Sequence, residues 1–381
     1  MVAPLLPLVL ALSTRPLRIG LVGTGRMALT HLAALKRQPV PISVPVVVSQ
    51  RTNLPAELRE LAPDAMQVPT LREAGPLDGV VIASSSNCNA ALTLDAIHCG
   101  VPSIFVEKPV AMSLREAEMV DSTLRRSKAP PLVQVGFHRR HDFCFHRLRR
   151  DFANTCRSYP TIVRSLHLIS YDAEPPQAQA AMQGASAEFA EQAGSLFVDF
   201  STHDFDMLRW LTGDEFHVHT VMHQSVAETG EEESVIVLRG QRTGCRAVVE
   251  NSRSCGYGHD QRAHLLLSNG VELRTEGDAV YLPNRVYPSF LERYAGAYRN
   301  QMALFMRAAQ RRACGGNGDE QEEEADQIAL PTFADAVASL KLAMACEEAL
   351  QTQRESQRIA VLESLRAPST STSPRFDEFS C

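Results

Sequence analysis

The sequence predicts an α/β protein in two parts, and two observations carry that prediction. Up to about residue 137, short apolar runs alternate with amphipathic stretches, the pattern of a parallel sheet with helices on both faces. Beyond it, strand-like runs follow one another with few helices between them, which points to a second α/β unit on a large, open, mostly antiparallel sheet. A chain of 381 residues is long enough for two domains. The expected boundaries are an N-terminal extension at 1–14, a first domain at 15–137, a second at 138–362, and a disordered tail at 363–381 rich in Ser, Thr and Pro.

The elements follow in order. Residues 18–22 form a strand that runs into a glycine turn, and 27–36 a helix with Leu29, Leu32, Ala33 and Leu35 on its apolar face. Strands follow at 44–48 and 79–83, then a helix at 90–98 stopped by Gly100. After a strand at 103–106, Ser113 and Glu116 form a capping box for the next helix, and a strand at 132–136 closes the series. In the second part, 161–170, 216–223, 235–239, 246–251 and 263–267 read as strands, with Asn269-Gly270 as a hairpin turn. Helices at 290–310 and 332–351 close the chain, separated by the acidic stretch CGGNGDEQEEEADQ, which is expected to be a mobile loop.

Composition narrows the function. A net charge of −6 gives no reason to expect nucleic acid or an anionic membrane as partner. Nine cysteines, an odd number without a Cys-x-x-Cys pair, suit reduced thiols and a cytoplasmic setting better than a disulfide framework or a zinc site. The apolar start MVAPLLPLVLAL is too short to span a bilayer and lacks a basic leader, so a disordered or loosely docked extension is expected.

Gly23, Gly25 and Ala28 form a Gly-x-Gly-x-x-Ala turn between a strand and a helix, at the head of a βαβ series. That context is the Rossmann dinucleotide site: a tight turn, a bare backbone against the pyrophosphate, and close helix–strand packing. The helix N-terminus adds free N–H groups and a positive dipole end. Arg26, Met27, Ser84, Ser85, Glu107 and Lys108 complete the expected cofactor side. At the end of the second strand Ser49 stands where a ribose-binding carboxylate is expected, followed by Arg51 and Thr52. A guanidinium without a carboxylate suits a 2′-phosphate, which favours NADP over NAD; the other reading makes Arg51 a solvated loop residue.

The chemistry concentrates in GSLFVDFSTHDFDMLRWL at 194–211, where Asp199 and His203 stand four residues apart. On a helix both fall on one face, so a carboxylate is held beside an imidazole. Lys108, in FVEKPV, directly follows a strand. A neutral imidazole can take a hydroxyl proton while an ammonium stabilises the developing oxyanion. The plainer alternatives are an exposed strand-end lysine and a helix-capping pair.

FVEKPV, QVGFHRRHD, DFSTHDFDMLRWLTG and GYGHDQRAHLLLSNG, in that order, resemble motifs of the glucose–fructose oxidoreductase/inositol dehydrogenase (Gfo/Idh/MocA) family, over residues 17 to about 351. The resemblance implies an NAD(P)-dependent dehydrogenase acting on a ring carbinol of a cyclic polyol or sugar, in the manner of an inositol 2-dehydrogenase. It implies that Lys108 and His203 flank the reacting carbon, that Asp199 holds Lys108 or bonds substrate, and that a cis peptide precedes Pro109. A homodimer or homotetramer is expected, a second subunit covering one face of the open sheet.

Arg139 either reaches a substrate hydroxyl or pairs with an acid at the domain seam, and Tyr257 either enters the substrate pocket or packs in the sheet. No metal site is expected. His138, His141 and His146 lack ligand spacing, and His217, His219 and His223 fall on one strand face, which suits a sheet surface or subunit contact. Tyr171 departs from the Arg or Asn usual in inositol dehydrogenases, and a long loop follows at 173–194, so myo-inositol leads and other cyclic sugars stand close behind. A catalytically silent NAD(P) sensor of the same fold, or a dehydrogenase for another sugar or a dihydrodiol, are the alternatives.

Overall fold

The computed structural model describes residues 15–172, 194–226, 231–253, 255, 258–275, 287, 289–314 and 330–366. The extension at 1–14, the loop at 173–193, Tyr257, most of the acidic stretch and the tail from 367 lie outside the described residues.

The first sheet is built from β1 (Leu17–Val22), β2 (Ile42–Ser43), β3 (Val46–Val48), β4 (Met66–Val68), β5 (Gly79–Ile82), β6 (Ser103–Val106) and β7 (Leu132–Val135). Its order is β4-β3-β1-β5-β6-β7, with β2 also on β1, and all pairs are parallel. Apart from the short β2, this is the doubly wound dinucleotide-binding order, reversing direction between β1 and β5. Central strands are buried on both faces, so their side chains divide between two cores. Val80 and Ile82 join one with Ala96 of α3 (Asn89–His98) and Ala117 and Val120 of α4 (Leu114–Arg126). Val81 and Phe105 join the other with Ala28, Leu32 and Leu35 of α1 (Arg26–Lys36) and Leu58 of α2 (Ala56–Leu61). Ser113 caps α4 as expected, accepting from Glu116 N, but the Glu116 carboxylate accepts from Met112 N, one residue before the position a strict capping box uses.

The second sheet has β8 (Val163–Tyr171), β9 (Phe216–Val226), β10 (Glu231–Gly240), β11 (Arg246–Ser252), β12 (Asp260–Leu267) and β13 (Glu272–Arg274) in the order β13-β12-β8-β11-β10-β9. Every pair is antiparallel except β8 with β11. The Asn269-Gly270 turn joins β12 to β13 as expected.

Several elements differ from expectation. A helix at Phe143–Ser158 was not foreseen, although its signals are local: Asp142 caps it, accepting from Cys144 N and Phe145 N, and Phe145, Leu148 and Phe152, spaced i, i+3 and i+7, turn one face to the core. The helix expected at 290–310 breaks at Tyr294 into Phe290–Arg293 and Ala295–Ala313. The latter returns to the first sheet, where Met302, Phe305, Met306 and Ala309 are fully buried with Ile19 and Leu21. The last helix, Phe333–Arg366, runs past residue 351 because neither Gly nor Pro interrupts it. The three β9 histidines do not share a face. A bulge between Val218 and Thr220 resets the alternation, so His217 lies out of phase with His223, which turns toward Phe197. Among the described residues, no helix is long and apolar enough to cross a membrane.

Candidate active site

The site forms at the C-terminal ends of the parallel strands, beside the point where strand order reverses. Gly23 leaves β1 at φ +101, and a Cβ there would stand 2.2 Å from Ala83 O, so only glycine fits. Gly25 differs: its φ is −81, and a Cβ there meets nothing within 4 Å. The open space lies at the N-terminus of α1, where a pyrophosphate would approach. The Arg26 guanidinium sits 4.7 Å over the Phe290 ring, tying the turn to the second half of the chain, and Met27 packs between these parts. Ser84 and Ser85 follow β5 on the same edge. Ser49 follows β3, its Oγ accepting from Arg51 N at 3.2 Å, and the Arg51 side chain is exposed.

Beyond β6, the Lys108–Pro109 peptide is cis. Buried Asn89 holds this turn, donating to Glu107 O (3.1 Å) and Pro109 O (2.9 Å). Glu107, expected on the cofactor side, instead turns its carboxylate inward to His31 Nε2 (2.5 Å) and Lys108 N (3.0 Å). The Lys108 ammonium faces outward and donates to Asp199 Oδ1 at 2.9 Å and Asp199 O at 2.7 Å.

Asp199 and His203 do not sit on one regular helix. Asp199 lies in a π-helical turn, Phe197–Ser201, and His203 in the α-helix Thr202–Thr212 that continues from it. Such turns carry one extra residue and gather at functional sites. A spacing of four could not reveal it. Here it directs Asp199 toward Lys108 and, through Oδ2, toward Arg253 at 2.6 Å. Burial alone would raise the Asp199 pKa; Lys108 and Arg253 outweigh it, and the carboxyl is held below its usual range.

His203 is buried beside His138, with ring centroids 4.7 Å apart, and its Nδ1 has no partner among the described residues. Burial, then the positive charge of Lys108, lowers its pKa well below the ordinary imidazole value, so it is neutral at pH 7. His138 is lowered likewise, by burial and then Arg139, and packs on Tyr294 (4.5 Å) and Tyr298 (4.9 Å). Of the two readings open for Arg139, the structure has the acid pair: Nη1 lies 2.6 Å from Asp204 Oδ1 and 3.1 Å from Ser170 Oγ, all buried. Asn251 closes this seam network at Asp204 Oδ2 (2.9 Å).

Sequence reasoning assigned no role to His138, His259, Asn89, Arg253 or Tyr294. His138 and His259, the latter with its ring 5.7 Å from that of Tyr294, lay inside the motifs that carried the resemblance, and Tyr294 and Tyr298 are spaced for one helix face. Asn89 had no local signal. Among the described residues, the site therefore brings together an ammonium, a carboxylate that holds it, and a neutral imidazole whose Nδ1 has no partner. The open approach at Gly25 and this unpartnered imidazole nitrogen fit a dinucleotide and a hydroxylated substrate.

Residues 17–137 match the model of an oxidoreductase family with an NAD-binding Rossmann fold, and residues 163–271 match the GFO/IDH/MocA C-terminal domain. The myo-inositol 2-dehydrogenase of Thermotoga maritima is 26% identical over 311 residues, covering 76% of this chain and 87% of that protein. Among solved structures, a myo-inositol dehydrogenase from Corynebacterium glutamicum aligns with TM-score 0.67 and 25% identity, over 89% of this chain and 98% of that one. The myo-inositol dehydrogenase of Lactobacillus casei, in complex with NAD(H) and myo-inositol, shares the fold with TM-score 0.70 at 18% identity, over 88% and 95%.

Proposed function

The chain belongs to the GFO/IDH/MocA family of oxidoreductases, and from that premise we propose that it moves hydride between a nicotinamide dinucleotide and a ring carbinol of a cyclic polyol or sugar, with myo-inositol, as in an inositol 2-dehydrogenase, the first candidate. The observation that carries this reading is the convergence of Lys108, Asp199 and neutral His203 beside the glycine turn.

The nicotinamide, when bound, accepts or supplies the hydride. His203, kept neutral by burial and by Lys108, takes the carbinol proton in oxidation and returns it in reduction. Lys108 has three N–H donors; Asp199 Oδ1 and O engage the ammonium from one side, leaving donor capacity for the carbinol oxygen as negative charge builds there. Asp199 fixes that ammonium. A screen of inositols, aldoses and diols with NAD and NADP, read by nicotinamide absorbance, tests the reading. Turnover of a cyclic polyol supports it; silence on every alcohol with both cofactors overturns it.

NADP is the proposed preference, supported by the absence of a carboxylate at Ser49 and the exposed guanidinium of Arg51. A homodimer or homotetramer is proposed because the outer face of the second sheet leaves Met222 56% and Leu266 42% exposed. Light scattering that gives a monomer mass at high micromolar concentration would overturn it. The cytoplasm is the proposed compartment, on the odd, unspaced cysteines.

A further inference from the structure

A line of alternating charge runs through the site. Lys108 Nζ meets Asp199 Oδ1 at 2.9 Å, Asp199 Oδ2 meets Arg253 Nη2 at 2.6 Å, and Arg253 Nη1 meets Glu232 Oε2 at 2.9 Å. The elements deliver these groups separately. Lys108 follows a parallel strand, Asp199 rides the π-helical turn, and Arg253 and Glu232 come from the β10–β11 pair. Arg253 N also donates to Glu232 O at 2.8 Å, so the backbone ladder fixes the two side chains together. The guanidinium stands 5.6 Å over the ring of Phe200, the next residue on the π-helical turn. Its side chain is 5% exposed, whereas Glu232 retains 24%.

We propose that Arg253 is a positioning residue for the hydride-transfer reaction, holding Asp199 so that one carboxylate oxygen, and no more, engages Lys108, with Glu232 anchoring Arg253 in turn. A carboxylate with a free second oxygen can rotate or take a lysine ammonium bidentately, which draws the ammonium off the substrate oxygen. Arg253 occupies that second oxygen with a planar donor that Lys cannot fully copy, though Lys restores the charge. The role rests on the proposed dehydrogenase reading. Arg253 touches neither substrate nor cofactor in it and acts through Asp199.

The test compares R253M, R253K and E232Q in the full chain. On a polyol that the wild type turns over, R253M should lower kcat roughly 10–100-fold, the scale of a misplaced catalytic group. KM and the NAD(P) dissociation constant by calorimetry should stay within about twofold. R253K should recover most of kcat, and E232Q, which leaves a partly solvated site rather than a stranded buried charge, should fall between them. Among the described residues, the charges that act most strongly on Asp199 are those of Lys108, Arg253 and, more weakly, Arg26. Loss of Arg253 should therefore move the acid limb of the kcat–pH profile upward, and R253K should move it back. Folded R253M with wild-type kcat and pH profile overturns the proposal, as does R253K no better than R253M. If R253M does not fold, E232Q and R253K decide the question alone by the same readouts. If the wild type is silent on every alcohol, the dehydrogenase reading fails, and crystal structures still judge the geometry. The single-oxygen contact of Lys108 with Asp199 Oδ1 should be lost in R253M, or in E232Q if R253M does not fold, the carboxylate having rotated away or taken the ammonium with both oxygens, and it should persist in R253K; an unchanged contact overturns the positioning role.

Discussion

A methyl group placed on Gly23 should damage the fold, whereas one placed on Gly25 should leave the fold intact and weaken cofactor binding. In Gly23→Ala the new Cβ would stand 2.2 Å from Ala83 O, 2.7 Å from Ala83 C and 3.0 Å from Ser84 N, all backbone of the neighbouring strand end. No side chain can rotate away to relieve it. The φ of +101 adds about 1–3 kcal/mol for a non-glycine residue, and the forced backbone shift adds about 1–3 more. The total of roughly 2–6 kcal/mol is a large share of a typical stability of 5–15 kcal/mol, and should lower the melting midpoint on the order of ten degrees. In Gly25→Ala the backbone, at φ −81 and ψ −175, suits alanine, and the Cβ has open space. Stability should change by less than about 0.5 kcal/mol. The methyl then occupies the approach to the pyrophosphate, and NAD(P) should bind at least about tenfold more weakly, or 1.4 kcal/mol. Scanning fluorimetry and calorimetric titration on the pair read both effects. Gly23→Ala with unchanged melting, or Gly25→Ala with unchanged cofactor affinity, would refute the assignment of separate structural and binding roles.

Further outcomes follow from the same geometry. Lys108→Met and His203→Ala should each lower kcat by about 10²–10⁴ with cofactor affinity nearly intact, and an unchanged kcat in either would sink the mechanism. If the proposed preference for NADP holds, Ser49→Asp with Arg51→Ala should reverse it, and a charge-assisted contact of about 1.5–3 kcal/mol would set it at one to two orders of magnitude; a wild type that prefers NAD refutes the role of Arg51. Asp206→Asn strands the buried Arg140, bonded to Asp206 at 2.5 and 2.8 Å and left with Asp335 at 3.3 Å; it should cost about 3 kcal/mol in urea unfolding, and a neutral result would show that Asp335 suffices. His138, His141 and His203 are held neutral, in each case by burial first, His141 down to about 3. Unfolding frees them to protonate, so stability is full above about pH 6.5 and falls toward acid by about 1.4 kcal/mol per pH unit for each histidine. Urea unfolding at pH 7, 6 and 5 measures the slope, and a flat response would mean these rings are not buried neutral.

The parallel sheet was legible because its strands are apolar runs between caps and glycine stops, signals that lie within a few residues of one another. Lys108, Asp199 and His203 were legible because each sits in a motif of its own. The π-helical turn was not, since an extra residue in a helical turn leaves no trace in a spacing of four. Arg253, Glu232 and Asn89 were illegible for a related reason: their roles come from partners 18 to 54 residues away, and a solitary Arg, Glu or Asn carries no pattern. The helix at 143–158 was legible too, in the Asp142 cap and the Phe145, Leu148 and Phe152 stripe, and went unread, whereas the β9 histidines were misplaced because one bulge inverted their alternation.

The helix Ala295–Ala313 sets a schedule for the newborn chain. The seven strands of the first sheet are complete by residue 135, yet one of its faces is closed by Met302, Phe305, Met306 and Ala309. A ribosome adds about 5–20 residues per second, so the sheet waits roughly 10–35 seconds with that groove bare before its own cover emerges. The whole second sheet is made in the interval. A fragment cut near residue 137 would carry the nucleotide turn but never receive the cover, and should aggregate unless the later helix is supplied in trans.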